Sequence, residues 1–371
     1  MPTSNSKVAV VTKCKAPVEI WSQTVPSPPS GCINIRVDRA GVCGTDVHLW
    51  RGDGGDDLEP FVLGHEGVGT IVELGEGVTT DHASYPVAVG DVVYWNPIRP
   101  CHSCFECTVQ RDLTGCPNGE FFSPASLPTT WASYAQIATL QRGNAFYKVD
   151  KSVPCDAFIA LGCALPTMLQ ALEHLGPIEK DEAVLVQGCG AVGLASIMLA
   201  RMAGARKIIA IDGNPLRLDM ARRFGANETL DLQSAASKTQ ELRAKRVHEL
   251  TGPRGLSLAI ECTGRAEAME EGLPLLARNG RYLCVGTWAG SGVVAISPFQ
   301  IVRKALKIIG TTYASPENYF QAARLVEQNH HIFPLAECVT HRFSLEDTER
   351  AFEVVASGKA IKAVVEPQTQ E

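Results

Sequence analysis

Thirteen cysteines and nine histidines are spread along this 371-residue chain, and some of them fall into groups that could do chemistry. Cys101, Cys104, Cys107 and Cys116 form a C-x2-C-x2-C-x8-C cluster. Four thiolates in one short lobe are the ligand set of a closed tetrahedral zinc site, with an iron–sulfur centre or coincidence as the other readings. Nothing else in the chain points to one-electron chemistry, so structural zinc is the expectation. Four protein ligands would leave no open position for catalysis. A second group is looser. Cys43 and His48 lie in Cys43-Gly44-Thr45-Asp46-Val47-His48, and His65 and Glu66 follow in Gly64-His65-Glu66-Gly67. Singly, each has a plain structural reading as a small buried thiol or a satisfied hydrogen bonder. Together, a thiol, an imidazole and a carboxylate make a donor set that suits Zn²⁺, a borderline-soft ion.

The third group is made of glycines. Residues 183–187 are an apolar run of strand length, broken by Gly188-Cys189-Gly190-Ala191-Val192-Gly193 and continued by helical apolar spacing. In such a unit Gly188 permits the tight turn, Gly190 lets the backbone approach a pyrophosphate, and Gly193 lets helix and strand pack closely. A second apolar strand, 207–211, ends at Asp212, nineteen residues after Gly193, where an acceptor for ribose hydroxyls is expected. The carboxylate favours NAD over NADP, although Arg217 could reach the adenosine side.

The surrounding pattern supplies the elements that must hold these groups. Residues 7–12, 18–25, 33–37 and 68–74 read as strands. Residues 156–175 read as one helix. After the glycine unit, strand-like beats at 228–232, 256–262, 281–286 and 305–311 alternate with helical stretches at 237–250 and 266–278. Six strands with intervening helices predict an α/β fold with a doubly wound parallel sheet. The expected organisation is a β-rich catalytic domain over 1–164 with a zinc lobe at 97–117, a cofactor domain over 165–304, and a segment 305–371 that carries the last sheet strand and returns to the first domain.

With 45% hydrophobic and 20% charged residues, the composition is that of an ordinary globular protein. A net charge of −6 without a Lys/Arg block argues against nucleic acid as partner. No apolar run is long enough for a bilayer and the N-terminal stretch lacks the apolar core of a secretory signal, so no membrane partner and a cytoplasmic location are expected.

Over essentially its whole length the chain resembles the zinc-dependent medium-chain alcohol dehydrogenases, with their GroES-like catalytic domain and Rossmann domain. The motifs are GVCGTDVH at 41–48, GHEGVG at 64–69, the four-cysteine lobe, GCALPT at 162–167, GCGAVG at 188–193 and SGKAIKAVV at 357–365. The resemblance implies two zinc ions per chain. Cys43, His65 and Cys163 would ligate the catalytic one, with Glu66 as a neighbouring carboxylate that approaches it transiently. Asp46 would accept from the imidazole of His65, Thr45 would touch the substrate oxygen, and His48 would end a proton relay. Lys362 would contact the cofactor pyrophosphate, and Thr167, Val192 and the backbone from Val285 to Thr287 would position the nicotinamide. By position, Leu49, Trp50, Pro97, Phe121, Tyr134 and Val285 are candidate substrate-pocket walls, suggesting an apolar alcohol or carbonyl; Trp50 and Tyr134 have an equally good reading as packing residues.

Two departures stand out. The last gap of the cysteine lobe is one residue longer than the family's usual seven, so that loop should bulge, and Thr130-Trp131 stands where a Gly-Gly is common. A zinc-free quinone or enoyl reductase would lack the Cys/His set. A polyol dehydrogenase and an inactive cofactor-binding protein are the competing readings. The strand expected at 293–297 lies where the family joins sheets across a dimer axis, so a homodimer or homotetramer is expected.

Overall fold

The computed structural model describes residues 4–53, 60–120, 123–124, 129–286 and 292–368. Phe121 and Thr287, named above as pocket wall and nicotinamide contact, lie outside the described residues. The chain divides into two compact units, Met1–Pro166 with Ala314–Glu371, and Thr167–Tyr313.

In the second unit, Ala183–Gln187 is buried at every position, because a parallel strand covered on both faces must be apolar throughout. It is the third of six strands, in the order Glu228–Asp231, Lys207–Asp212, Ala183–Gln187, Leu256–Glu261, Leu276–Cys284, Lys307–Gly310, all paired in parallel. This is the doubly wound arrangement, and the order reverses beside Ala183–Gln187. Local chemistry sets the boundaries. The helix Pro215–Phe224 starts where the Asn214 side chain accepts from the Leu216 N–H and stops at Gly225, whose φ of +117° suits glycine. The helix expected over 266–278 ends earlier, at Leu275, since Pro274 cannot donate to the helical ladder. Residues 293–297 form no strand, and Val293 is 94% exposed.

The first unit is built on a seven-stranded sheet. Ile33–Val42 lies at its centre, flanked by Gly67–Leu74 and by the C-terminal strand Lys362–Glu366, with Ala363 opposite Val42. A smaller sheet joins Glu19–Val25, Ser4–Val11, Phe61–Val62 and Ser123–Pro124. Ile33, Ile35, Val37, Ile71, Trp95 and Tyr134 fill the core. The single helix expected over 156–175 is two helices, Cys155–Ala160 and Ala164–Leu175. They break at Gly162, whose φ of +42° ends the first helix and turns out Cys163.

Candidate active site

Three segments of the first unit converge. The short helix Gly44–Trp50 has Cys43 as its N-cap, and the Asp46 carboxylate reaches back to the Cys43 N–H at 2.9 Å. This capping contact fixes the start of the helix and aims Cys43. Gly64-His65-Glu66-Gly67 leads into the strand Gly67–Leu74, and the helix break supplies Cys163. One ligand atom from each of Cys43, His65, Glu66 and Cys163 lies within 4.8 Å of all the others. Two sulfurs, an imidazole and a carboxylate at that spacing fit a zinc ion.

The electrostatics divide the ligands: Cys43 is shifted toward its deprotonated form, whereas Cys163 and, against burial and through Asp46 and Cys43, His65 are shifted toward their protonated forms. Cys43 and Cys163 are 3.6 Å apart, Sγ to Sγ. The hydrogen bond from Cys163 holds Cys43 below the usual thiol range despite its burial, with His65 and Lys362 adding to the effect. Cys163 is pushed up because its proton is the one shared. Asp46, fully buried, takes the Nδ1 proton of His65 at 3.1 Å, fixing the tautomer in which Nε2 would be the metal-ligating nitrogen. Thr45 Oγ1 is 3.7 Å from Cys43 Sγ, on the same helix as His48.

Glu66 stands between two donors, the Cys163 N–H at 2.9 Å and the Lys362 ammonium. A Cβ at Gly41 or Gly162 would come within 2.0 or 2.3 Å of this side chain, so both glycines are required by its volume. Lys362 is 3% exposed and pairs with Glu66, its strand directing the side chain into the metal-site core.

Of the two readings given for Trp50 and Tyr134, the contacts of both match packing. Tyr134 has no exposed surface to offer a substrate, and its hydroxyl reaches Asp46 and the Gly41 carbonyl. The Trp50 ring packs against Phe352, its Nε1 donates to the Ala16 carbonyl, and it lines a cavity of about 450 Å³ with Lys15, Arg51 and Glu353. Asp53 was not found by reading the sequence. Its carboxylate lies 2.8 Å from His48 Nδ1.

Cys101, Cys104, Cys107 and Cys116 likewise bring their sulfurs within 4.8 Å of one another, fitting a second, closed zinc site. Backbone hydrogen bonding from Ser103 holds the Cys101 thiol down at about 5, so a thiolate is present at neutral pH. The one-residue excess of this lobe is accommodated beside a π-helical turn, Glu106–Gln110. At the neck, Arg99 and Glu120 exchange two backbone hydrogen bonds of 2.9 and 3.0 Å and pair their side chains. The Arg99 guanidinium also lies 5.6 Å from the centre of the Trp131 ring.

In the second unit, Gly188 takes φ +94°, and a Cβ at Gly193 would fall 1.9 Å from the Gly188 carbonyl oxygen. A Cβ at Gly190, by contrast, would meet nothing within 4 Å, so the backbone face there is open to a ligand. Asp212 accepts from the Cys189 N–H at 2.7 Å and from the Asn214 N–H at 2.8 Å, which ties this carboxylate to the glycine turn. Arg217 lies on the helix Pro215–Phe224, and Val192 in the first turn of Ala191–Met202. The Val285 and Gly286 N–H groups both donate to the Glu261 carbonyl, and Thr167 lies on the helix Ala164–Leu175.

Residues 29–150 match the alcohol dehydrogenase GroES-like domain, and residues 191–328 match the zinc-binding dehydrogenase domain. The chain belongs to the zinc-dependent medium-chain alcohol dehydrogenase family. It is 44% identical over 349 residues to a 5-exo-hydroxycamphor dehydrogenase of Pseudomonas putida, covering 94% of this chain and 95% of that one. An S-(hydroxymethyl)glutathione dehydrogenase of Escherichia coli is 31% identical, over 97% of this chain and 99% of its own. Among solved structures, an alcohol dehydrogenase from Thermotoga maritima superposes with a TM-score of 0.91 at 27% identity, covering 98% and 100% of the two chains. Zinc-dependent oxidoreduction of small alcohols is the activity of this class, and among the described residues no helix is long and apolar enough to cross a membrane.

Proposed function

We propose that the chain is an NAD-dependent dehydrogenase that interconverts an apolar secondary alcohol and its ketone. The observation that carries this reading is the convergence of Cys43, His65 and Cys163, with Glu66 beside them, within 4.8 Å. These three would hold the catalytic zinc, and Cys101, Cys104, Cys107 and Cys116 the structural one. When bound, zinc supplies Lewis acidity that stabilises negative charge on an alcohol oxygen at neutral pH, and NAD supplies the hydride acceptor.

The chain's own residues do the rest. Asp46 fixes the tautomer of His65 so that Nε2 faces the metal position. The Thr45 hydroxyl, beside Cys43, takes the alcohol proton, and His48 carries it toward solvent. Lys362 and the Cys163 N–H hold Glu66 next to the ligands without burying an unpaired charge. Gly188, Gly190 and Gly193 shape the turn for the pyrophosphate, with Val192 in the helix behind it; Asp212 serves the ribose and favours NAD over NADP, and Arg217 serves the adenosine side. Thr167, Val285 and Thr287 are read as the nicotinamide positions.

The 44% identical relative is named for a hydroxylated camphor, a bicyclic secondary alcohol, which supports an apolar ring substrate over a polyol. The chain is also read as a cytoplasmic homodimer or homotetramer. Among the described residues no strand pairs with the outer edge of Lys307–Gly310, and Val293, Phe299 and Val302 are exposed nearby in the chain. Turnover is tested by following NADH formation with primary, secondary, cyclic and polyol alcohols; the cyclic secondary alcohols should give the highest kcat/KM. A preference for polyols would overturn the substrate assignment.

A further inference from the structure

The fully buried Tyr134 hydroxyl has one proton and two acceptors in reach, Asp46 Oδ2 at 2.9 Å and the Gly41 carbonyl at 3.1 Å. The charged acceptor forms the stronger bond, so the proton points at Asp46. That carboxylate is saturated. Oδ1 receives the Gly64 N–H at 3.3 Å and His65 Nδ1 at 3.1 Å, and Oδ2 receives the Cys43 N–H at 2.9 Å and Tyr134.

The origin of these donors matters. Cys43 and Gly64 belong to the two segments that carry ligands, and they shift when those segments shift. Tyr134 comes from a third segment, at the edge of the strand region that begins at Ile137, with its ring 5.8 Å from Phe352 in the core. It therefore ties Asp46 to the body of the fold. Without it, Oδ2 would keep a single backbone donor, and the carboxylate plane that sets the imidazole orientation could rotate.

We propose that Tyr134 is a positioning residue for the catalytic metal: by holding Asp46 Oδ2, its hydroxyl fixes the carboxylate that orients His65, and so sets the zinc affinity of the Cys43–His65–Cys163 site. This role rests on the reading of those three residues as ligands.

Tyr134→Phe keeps the ring and removes the hydroxyl. Zinc affinity is measured at each site by chelator competition on the zinc-loaded protein, with the four-cysteine site as internal control. The variant should bind zinc at the Cys43 site about ten- to a hundredfold more weakly, the usual loss when an outer partner of a metal ligand is removed. The four-cysteine zinc should be held as in the wild type. After cobalt substitution, the ligand-field spectrum of the Cys43 site should change as well. Adding Tyr134→Phe to Asp46→Asn should weaken binding no further than Asp46→Asn alone. Unchanged affinity overturns the role, as do equal losses at both sites, additive losses in the double variant, or a Tyr134→Phe chain that does not fold, since each would make the hydroxyl a general packing or folding element. A wild-type chain that binds only the four-cysteine zinc overturns the ligand reading itself, and this role with it.

Discussion

Asp53 Oδ2 lies 2.8 Å from His48 Nδ1, five residues back along the chain. The contact follows from how the helix Gly44–Trp50 ends. Gly52, at φ +76°, donates to the Leu49 carbonyl, and the Asp53 N–H donates to the His48 carbonyl at 2.9 Å. This pair of bonds is the Schellman ending, which brings the residue after the glycine over the last helical turn. An aspartate there meets the imidazole, holds the proton on Nδ1 and leaves Nε2 to exchange protons. Asp53→Ala should lower kcat roughly tenfold, the worth of one charge-assisted hydrogen bond, with both zinc ions retained. His48→Gln should cost more, about a hundredfold, also without metal loss. Steady-state kinetics with metal analysis checks both, and loss of metal in either variant would remove these residues from proton transfer.

Glu66 and Lys362 are both nearly inaccessible, so each depends on the other. Lys362→Met should destabilise the chain by about 3–5 kcal/mol, because a buried carboxylate loses its partner. The double substitution with Glu66→Gln should recover much of that loss. Denaturant unfolding of the three variants reads the coupling; equal instability of the single and double variants would contradict it.

In the proposed function, Asp212 sets the cofactor preference. Replacing it with Ala should raise KM for NAD about ten- to a hundredfold, the loss of a charged hydrogen bond, and narrow the preference over NADP. The same substitution also frees the Cys189 N–H, so some loss with both cofactors is expected. An unchanged NAD to NADP ratio would move the selectivity elsewhere, Arg217 being the next residue to test.

Cys107→Ser should abolish zinc at the four-cysteine lobe and leave the Cys43 site loaded. Proteolysis should then begin within 101–116, beyond the neck that Arg99 and Glu120 close. Cleavage elsewhere would show that the lobe does not need its metal to stay ordered.

What could be read from the sequence was whatever local pattern determines. The glycine turn, the apolar strands of the parallel sheet and the cysteine spacing are written in adjacent residues, and the fold places them as read. The direction of a long side chain is set by tertiary packing instead. The pairing of the Lys362 strand with Ile33–Val42 turns that side chain into the core toward Glu66, a contact the motif around it does not reveal. Continuous apolar spacing hid the break at Gly162, since Leu161, Gly162 and Cys163 do not interrupt a helical pattern. Trp50 and Tyr134 have aromatic rings suited to a pocket or a core; Tyr134 is fully buried, and the half-buried Trp50 packs against Phe352. Asp53 needed the backbone of the helix ending before its meeting with His48 could be seen.

The most direct measurement is zinc content per chain in wild type and Cys163→Ala, taken with NADH formation from a cyclic secondary alcohol. Two zinc ions and turnover in the wild type are expected, falling to one zinc and no turnover in the variant. Two zinc ions in Cys163→Ala, or a wild type with both metals and no NAD reduction, would contradict the assignment of this site.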